Sequence, residues 1–226
     1  MKVCIGNINR GSLSTAFVSG LLHAAQSGGA VTNWQYHCAG PYLDAARNTV
    51  VHGFLRDTDA DWLLFIDSDI GFNGDQVDEL VADVDPYVTP VVGGLYMNPT
   101  VDGHVKPVAY TEGTRTVTTY GGVTLEAVHF DQIDLPPPDA ADMVVDAIGT
   151  GFMAIHRHLL EKMAERFDHP REWFACEVQD GTALGEDFAF CRRVRSMGYP
   201  IVLNPRVRVA HLKDILLTPD NFKERA

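Results

Sequence analysis

The sequence predicts an α/β fold: a mixed, mainly parallel sheet with helices on both faces and a small antiparallel β region in the middle. Three observations predict it. Residues 1–100 alternate short apolar runs with amphipathic stretches in the order β-α-β-α-β-α-β, which is how a parallel sheet with helical crossovers reads. Trp62–Ile66 is a continuous apolar run of strand length, the pattern of a strand covered on both faces. From Val108 to Phe130 the pattern changes to Thr- and Val-rich runs broken by Gly113 and Gly121-Gly122, as in antiparallel hairpins.

Taken in order, Lys2 to Gly6 reads as the first strand and Asn7 to Ser14 as a polar loop. A helix follows over Thr15 to Gln26, with Phe17, Leu21 and Leu22 near helical spacing and Gly28-Gly29 as its stop. Val31 to Cys38 reads as a short strand punctuated by Gly40-Pro41. Tyr42 to Arg56 is helical, with Leu43, Ala46, Val50 and Phe54 on one face. After the 62–66 strand, a helix is predicted over Asp75 to Val84 and a β-branched strand over Tyr87 to Tyr96, closing on Gly93-Gly94. Pro136-Pro137-Pro138 makes a stiff connection. Met143 to Ile155 reads as a strand interrupted by Gly149-Thr150-Gly151, and His158 to Phe167 as a helix. Asp168 to Gly185 is irregular and carries Trp173 and Phe174. A last helix, Asp187 to Met197, leads into strands at Ile201–Leu203 and Arg206–His211.

The 226 residues suit one domain, 1–226, in two halves, 1–100 and 101–226. A chain of this length buries about 70% of its unfolded surface and needs no disulfide staples. Cys4, Cys38, Cys176 and Cys191 form no C-x-x-C pair, which argues against structural zinc. Cys4 and Cys191 lie in apolar surroundings and read as buried thiols, a usage compatible with a reducing, cytoplasmic location. No run approaches the ~20 apolar residues of a membrane span, and the N-terminus does not read as a signal peptide. The net charge of −12 disfavours broad binding to nucleic acid or an anionic membrane.

The chemistry concentrates at Asp67-Ser68-Asp69, where the apolar run ends in two carboxylates. If the strand continues, alternation puts both on one side, roughly 6–7 Å apart, at the sheet edge where open α/β sheets bind ligands. Carboxylates so placed need a divalent cation or hydrogen-bond donors to compensate them. An Asp-rich turn explains the same residues. Glu186 and Asp187 open the last helix, where the macrodipole favours acids; alternatively Asp187 is a general base. His211 shares a strand face with Val207 and Val209, as a core histidine would; alternatively it is a ligand for Mn²⁺ or Mg²⁺. Arg47, beside Asn48, either pairs with Asp44 along its helix or grips a diphosphate. Gly149-Thr150-Gly151 is a turn or a close approach to a sugar, and Trp173 and Phe174 are core or a stacking platform for an acceptor.

In this order, Ala46-Arg47-Asn48, Asp61 to Asp69, Val91-Val92-Gly93-Gly94-Leu95-Tyr96, Gly149-Thr150-Gly151-Phe152-Met153, Gly185-Glu186-Asp187, Gly198-Tyr199 and Val209-Ala210-His211 resemble a GT-A-fold glycosyltransferase over residues 1–212. The resemblance is to short, single-domain, family-2-type enzymes of bacteria and phages. It implies a Rossmann-like GT-A sheet, Asp69 and His211 as ligands of a Mn²⁺ or Mg²⁺ ion, and Asp67 at the metal or the ribose. It implies Asp187 as the catalytic base with Glu186 as its neighbour, and a donor-binding set of Arg47, Asn48, Asp67 and Gly94. Family members often carry Pro-x-Tyr-Asn after the first strand, where this chain has Gly6-Asn7-Ile8-Asn9-Arg10-Gly11-Ser12; Arg10 stands there as a diphosphate or base contact.

The function implied is transfer of a sugar from a nucleotide diphosphate, a UDP-sugar by preference, to a hydroxyl acceptor, inverting if Asp187 is the base. Retaining members share the D-x-D and the histidine, and the acceptor is not written in these residues. A metal-dependent nucleotidyltransferase is the second reading, with Asn9-Arg10-Gly11-Ser12 as a faint Gly-rich loop. A non-catalytic nucleotide- or sugar-binding module is the third.

Overall fold

The computed structural model describes residues 1–38, 42–100, 104–118, 120–167, 173–179 and 182–214. The first half keeps the predicted alternation: β1 (Val3–Asn9), α1 (Thr15–Ser27), β2 (Val31–Cys38), α2 (Leu43–Asp57), β3 (Trp62–Ile66), the two-residue β4 (Ile70–Gly71), α3 (Gly74–Val81) and β5 (Val91–Leu95). The second half is more broken, with β6 (Met97–Pro99), β7 (Val105–Pro107), β8 (Ala109–Thr118), β9 (Thr124–Gln132), β10 (Met143–Val145), β11 (Ala147–Ile148) and β12 (Phe152–His156). It closes with α4 (Arg157–Arg166), β13 (Glu177–Gln179), β14 (Thr182–Leu184), α5 (Glu186–Ser196), β15 (Ile201–Arg208) and β16 (Ala210–His211). Gly40-Pro41 and residues 168–172 of the irregular segment lie outside the described residues.

Seven strands form the central sheet in the order β10-β15-β5-β12-β3-β1-β2. β2, β1 and β3 pair in parallel, and so do β5 and β15. β12 runs antiparallel between β3 and β5, and β10 antiparallel at the β15 edge. The carboxyl ends of β1, β2, β3, β5 and β15 therefore share one edge, and β12 begins there.

Alternation along β3 divides the core. Leu63 and Phe65 pack with Val50, Val51 and Phe54 of α2 and Phe190 of α5. Trp62, Leu64 and Ile66 pack with Phe17 of α1 and Val77 and Leu80 of α3. Helices thus cover both faces, and each of these buried side chains contributes about 1.5–3 kcal/mol. Cys4 and Cys191 are buried as expected, and burial pushes both thiols up to about 12. A separate sheet, β11-β8-β9, is the predicted antiparallel region: β8 and β9 form one hairpin paired from Tyr110–Gln132 to Thr118–Thr124. Among the described residues, no helix is long and apolar enough to cross a membrane.

Some elements differ from expectation for local reasons. α3 stops at Val81, because Asp83 adopts a left-handed φ of 55° that no helix continues through. β5 starts at Val91, because Pro90 lacks a ladder N–H. Tyr87–Thr89 form a turn instead, with Val88 N and Thr89 N both donating to Asp85 O. The run Met143–Ile155 is not one interrupted strand but β10, β11 and β12, which belong to two sheets. Trp173 and Phe174 are core and not a stacking platform: Trp173 donates its indole N–H to Leu160 O at 2.7 Å, and Phe174 stacks on Phe190 with centroids 4.6 Å apart.

Candidate active site

β3 ends at Ile66, and the chain turns at once. Ile70 N donates to Asp67 O at 3.0 Å, closing a turn over Asp67–Ile70, and Asp67 N donates to Gly151 O at 3.1 Å at the start of β12. The strand alternation expected to place Asp67 and Asp69 on one side does not extend past Ile66, since the turn re-aims each residue. Their carboxylates accordingly have different partners. Asp67 Oδ1 lies 3.5 Å from Arg47 Nη2, whereas Asp69 Oδ2 lies 3.2 Å from His211 Nε2 and 2.9 Å from Lys213 Nζ.

Arg47, 4% exposed, is carried by α2 beneath this edge, its guanidinium 5.3 Å from the centre of the Phe65 ring. It does not pair with Asp44; it bridges Asp67 and, through Nε at 3.3 Å, Glu186 at the first turn of α5. Its Nη1 is buried without a hydrogen-bond partner. One cation thus joins residues far apart in sequence. Next to Glu186, Asp187 accepts a hydrogen bond from Phe188 N at 2.8 Å. Burial, and secondarily the neighbouring Glu186 charge, pushes its carboxyl up to about 6. A carboxylate so placed is poised for proton transfer near neutral pH.

A cavity of about 570 Å³ opens on the same edge, lined by Asn9, Arg10, Ser12, Arg47, Asp67, Asp69 and Lys213 among others. Its rim is braced by asparagines: Asn7 Nδ2 donates to Ile66 O at 2.8 Å, and Asn9 Nδ2 to Asn7 Oδ1 at 3.0 Å. Arg10 and Arg47 both reach this cavity. Asn48 does not line it; its amide both donates to and accepts from the Phe174 backbone at 2.9 Å, bracing the segment that follows α4. A Cβ at Gly94 would stand 2.7 Å from Phe152 Cδ1 and 3.0 Å from Val207 Cγ1, so this buried glycine makes room for protein packing.

Tyr96 and Lys213 escaped the sequence reading. Tyr96 lies at the end of β5, buried, and its hydroxyl accepts from Gly151 N at 3.2 Å. Its ring packs edge-on against His211, with centroids 5.3 Å apart. The close approach at Gly149 and Gly151 is to Tyr96, since a Cβ on either glycine would collide with that side chain. Burial, with the Asp67 charge, holds the Tyr96 hydroxyl well above its ordinary range. An aromatic directly after Gly93-Gly94-Leu95, and a lysine two places beyond His211, are the only sequence signals either one offered.

No family model and no curated protein matches the chain. Among solved structures, A197 from STIV aligns over 95% of this chain and 87% of its own, with 17% identity and a TM-score of 0.60. GalNAc-T7, solved with UDP, GalNAc and Mn²⁺, aligns over 93% of this chain and 43% of its own, with 12% identity and a TM-score of 0.56. The fold is GT-A-like. The chain spans less than half the length of the GalNAc-T7 structure.

Within this GT-A-like frame, the fit of the residues to a divalent cation rests on His211. Its Nδ1 lies 2.8 Å from the Met97 carbonyl, which can only accept, so Nδ1 carries the proton. In the neutral ring the Nε2 lone pair then faces Asp69 Oδ2, another acceptor, and a proton or a cation between them resolves the conflict. A backbone carbonyl that fixes the tautomer leaves the other imidazole nitrogen free to meet a proton or a cation beside the carboxylate. With a proton on Nε2 as well, donation from His211, together with Lys213, holds the Asp69 carboxyl down to about 2. Among the described residues no three His, Cys, Asp or Glu side chains are gathered into a complete metal site. Asp69 and His211 are together; Asp67 is held on Arg47. One or two protein donors suit Mg²⁺ or Mn²⁺, which take further ligands from substrate phosphates and water.

Proposed function

We propose that this chain is a divalent-cation-dependent glycosyltransferase. It moves a sugar from a nucleotide diphosphate to a hydroxyl acceptor, with residues 1–100 serving the donor and 101–226 the acceptor. The observation that carries the reading is the Arg47 bridge, which ties the acidic turn after β3 to the acid pair opening α5 across one sheet edge. The first donor and cation to test are a UDP-sugar and Mn²⁺, the pairing suggested by the ligands of the GalNAc-T7 structure.

In this reading, Arg10 and Arg47 hold the diphosphate in the cavity that they line. Asp187 accepts the acceptor's hydroxyl proton while that oxygen bonds to the anomeric carbon. The bond from that carbon to the diphosphate oxygen breaks on the opposite face, and its electron pair leaves with the nucleoside diphosphate. The anomeric centre is inverted. Asp69 and His211 would hold Mn²⁺ or Mg²⁺, which would supply Lewis-acid stabilisation of the departing diphosphate. Glu186 and Arg47 position Asp187 and bias its charge.

The experiment is nucleoside diphosphate release from a panel of nucleotide sugars, with Mn²⁺, Mg²⁺ or EDTA, for the wild type and Asp187→Asn. Cation-dependent release from one donor, lost in Asp187→Asn while nucleotide binding persists, supports the reading. Pyrophosphate release in a parallel assay with nucleoside triphosphates and sugar 1-phosphates would assign nucleotidyl transfer instead, and absence of both nucleoside diphosphate release and nucleotide binding would overturn the reading.

A further inference from the structure

We propose that Lys213 is the resident counter-ion of Asp69, and that it exchanges this carboxylate for the diphosphate when cation and nucleotide bind. The inference rests on the donor site proposed above and gives that site an internal coupling device. Lys213 Nζ lies 2.9 Å from Asp69 Oδ2, the same oxygen that faces His211 Nε2 at 3.2 Å. The two atoms a divalent cation would join are therefore already engaged, one of them by a permanent positive charge.

The ammonium is not a loosely tethered surface charge. Leu212 N, one residue before it, donates to the Asp69 carbonyl at 2.8 Å, and His211 pairs with Ile70 across β16 and β4. The lysine and its aspartate thus ride on backbones that are hydrogen-bonded to each other, which lowers the entropy cost of their meeting. A cation arriving alone at Oδ2 meets an ammonium in contact with the same oxygen. Among the described residues the other carboxylate in the cavity wall is Asp67, which is paired with Arg47. A nucleoside diphosphate changes this balance. It brings multiple negative charges into a cavity whose basic members are Arg10, Arg47 and Lys213, and so offers the displaced ammonium a new partner. Cation and nucleotide then bind cooperatively, and by linkage each tightens the other by the same factor.

The test is Mn²⁺ titration of the full chain, followed by the electron paramagnetic resonance signal of free Mn²⁺, with and without UDP. Wild type, Lys213→Met, Lys213→Gln and Lys213→Arg are compared, and thermal melts establish that each variant is folded. Without UDP, the Met and Gln variants bind Mn²⁺ about fivefold more tightly than wild type, the scale of one part-exposed ion pair. The tightening caused by UDP shrinks by the same factor in both, and Lys213→Arg keeps the wild-type pattern. If the wild type binds Mn²⁺ with UDP but the Met and Gln variants bind Mn²⁺ alone no more tightly, the exchange is overturned and the donor site stands. If no variant binds Mn²⁺ with or without UDP, the donor site falls and the exchange falls with it.

Discussion

Asp187 sits in a position where its charge is costly, and in the proposed role as base that cost is its use. Its carboxyl titrates near 6 in the folded chain against 3.8 ordinarily, so between those values the folded state binds more protons than the unfolded state. Stability therefore falls as pH rises from about 4 to about 6, and the penalty persists above that range. Asp187→Asn removes the penalty and keeps an oxygen for Phe188 N. The variant melts higher at pH 7–8 by about 1–2 kcal/mol, and the gain shrinks toward pH 4 in calorimetric scans. The same change lowers turnover by about 10²–10⁴. If Asp187 is the base, as proposed, wild-type log kcat rises with pH up to about 6 and then levels, because the base must be ionised. Arg47 holds that limb down. Arg47→Met leaves Asp67 and Glu186 without their shared cation, so the limb moves above 6 and the chain loses about 1–3 kcal/mol. A pH–rate profile beside a urea melt checks both.

At the scale of elements, what the sequence discloses depends on whether a feature leaves a periodic trace. β3 was legible to the residue because burial on both faces demands an unbroken apolar run. α1, α2, α4 and α5 were legible within a residue or two from helical spacing. The direction of β12 left no trace, since apolar periodicity carries no polarity. Nor did Arg47's partners, which are set by where α2 and α5 cross the sheet. Asp187, Arg47, Asp69 and His211 were named from residue type and order, whereas the packing around Gly94 and the backbone clamp made by Asn48 leave no trace in a string of letters. The glycines separate experimentally. Gly94→Ala forces a methyl against Phe152 and Val207 and costs about 1–3 kcal/mol, lowering the urea midpoint without weakening Mn²⁺–UDP binding. Gly151→Ala instead sets a methyl 2.8 Å from the Tyr96 hydroxyl and 3.3 Å from Asp67 Oδ2. It therefore weakens Mn²⁺–UDP binding in the same titration.

For the molecule as a whole, the net charge of −12 and the cavity's own basic side chains oppose each other. In the proposed function, binding of a nucleoside diphosphate is local attraction working against a repulsive field, and screening by salt weakens both. The antiparallel insertion of β12 has a wider consequence. β5 leaves the central sheet at the edge that carries the site, and β12 re-enters it at that same edge. Everything between, from Tyr96 to Gly151, is an excursion that starts and finishes at that edge of the sheet, with the β8–β9 hairpin in it. No strand of the central sheet other than β10 lies within it. Excising residues 116–126 and closing the hairpin with Asn-Gly leaves Mn²⁺–UDP affinity unchanged while altering which acceptors are used, a result that donor titration and an acceptor screen would read out together. If the sheet handles the donor as proposed, such a chain is built like a tool with a fixed grip and an exchangeable head: the excursion can be altered to take other acceptors without rebuilding the sheet.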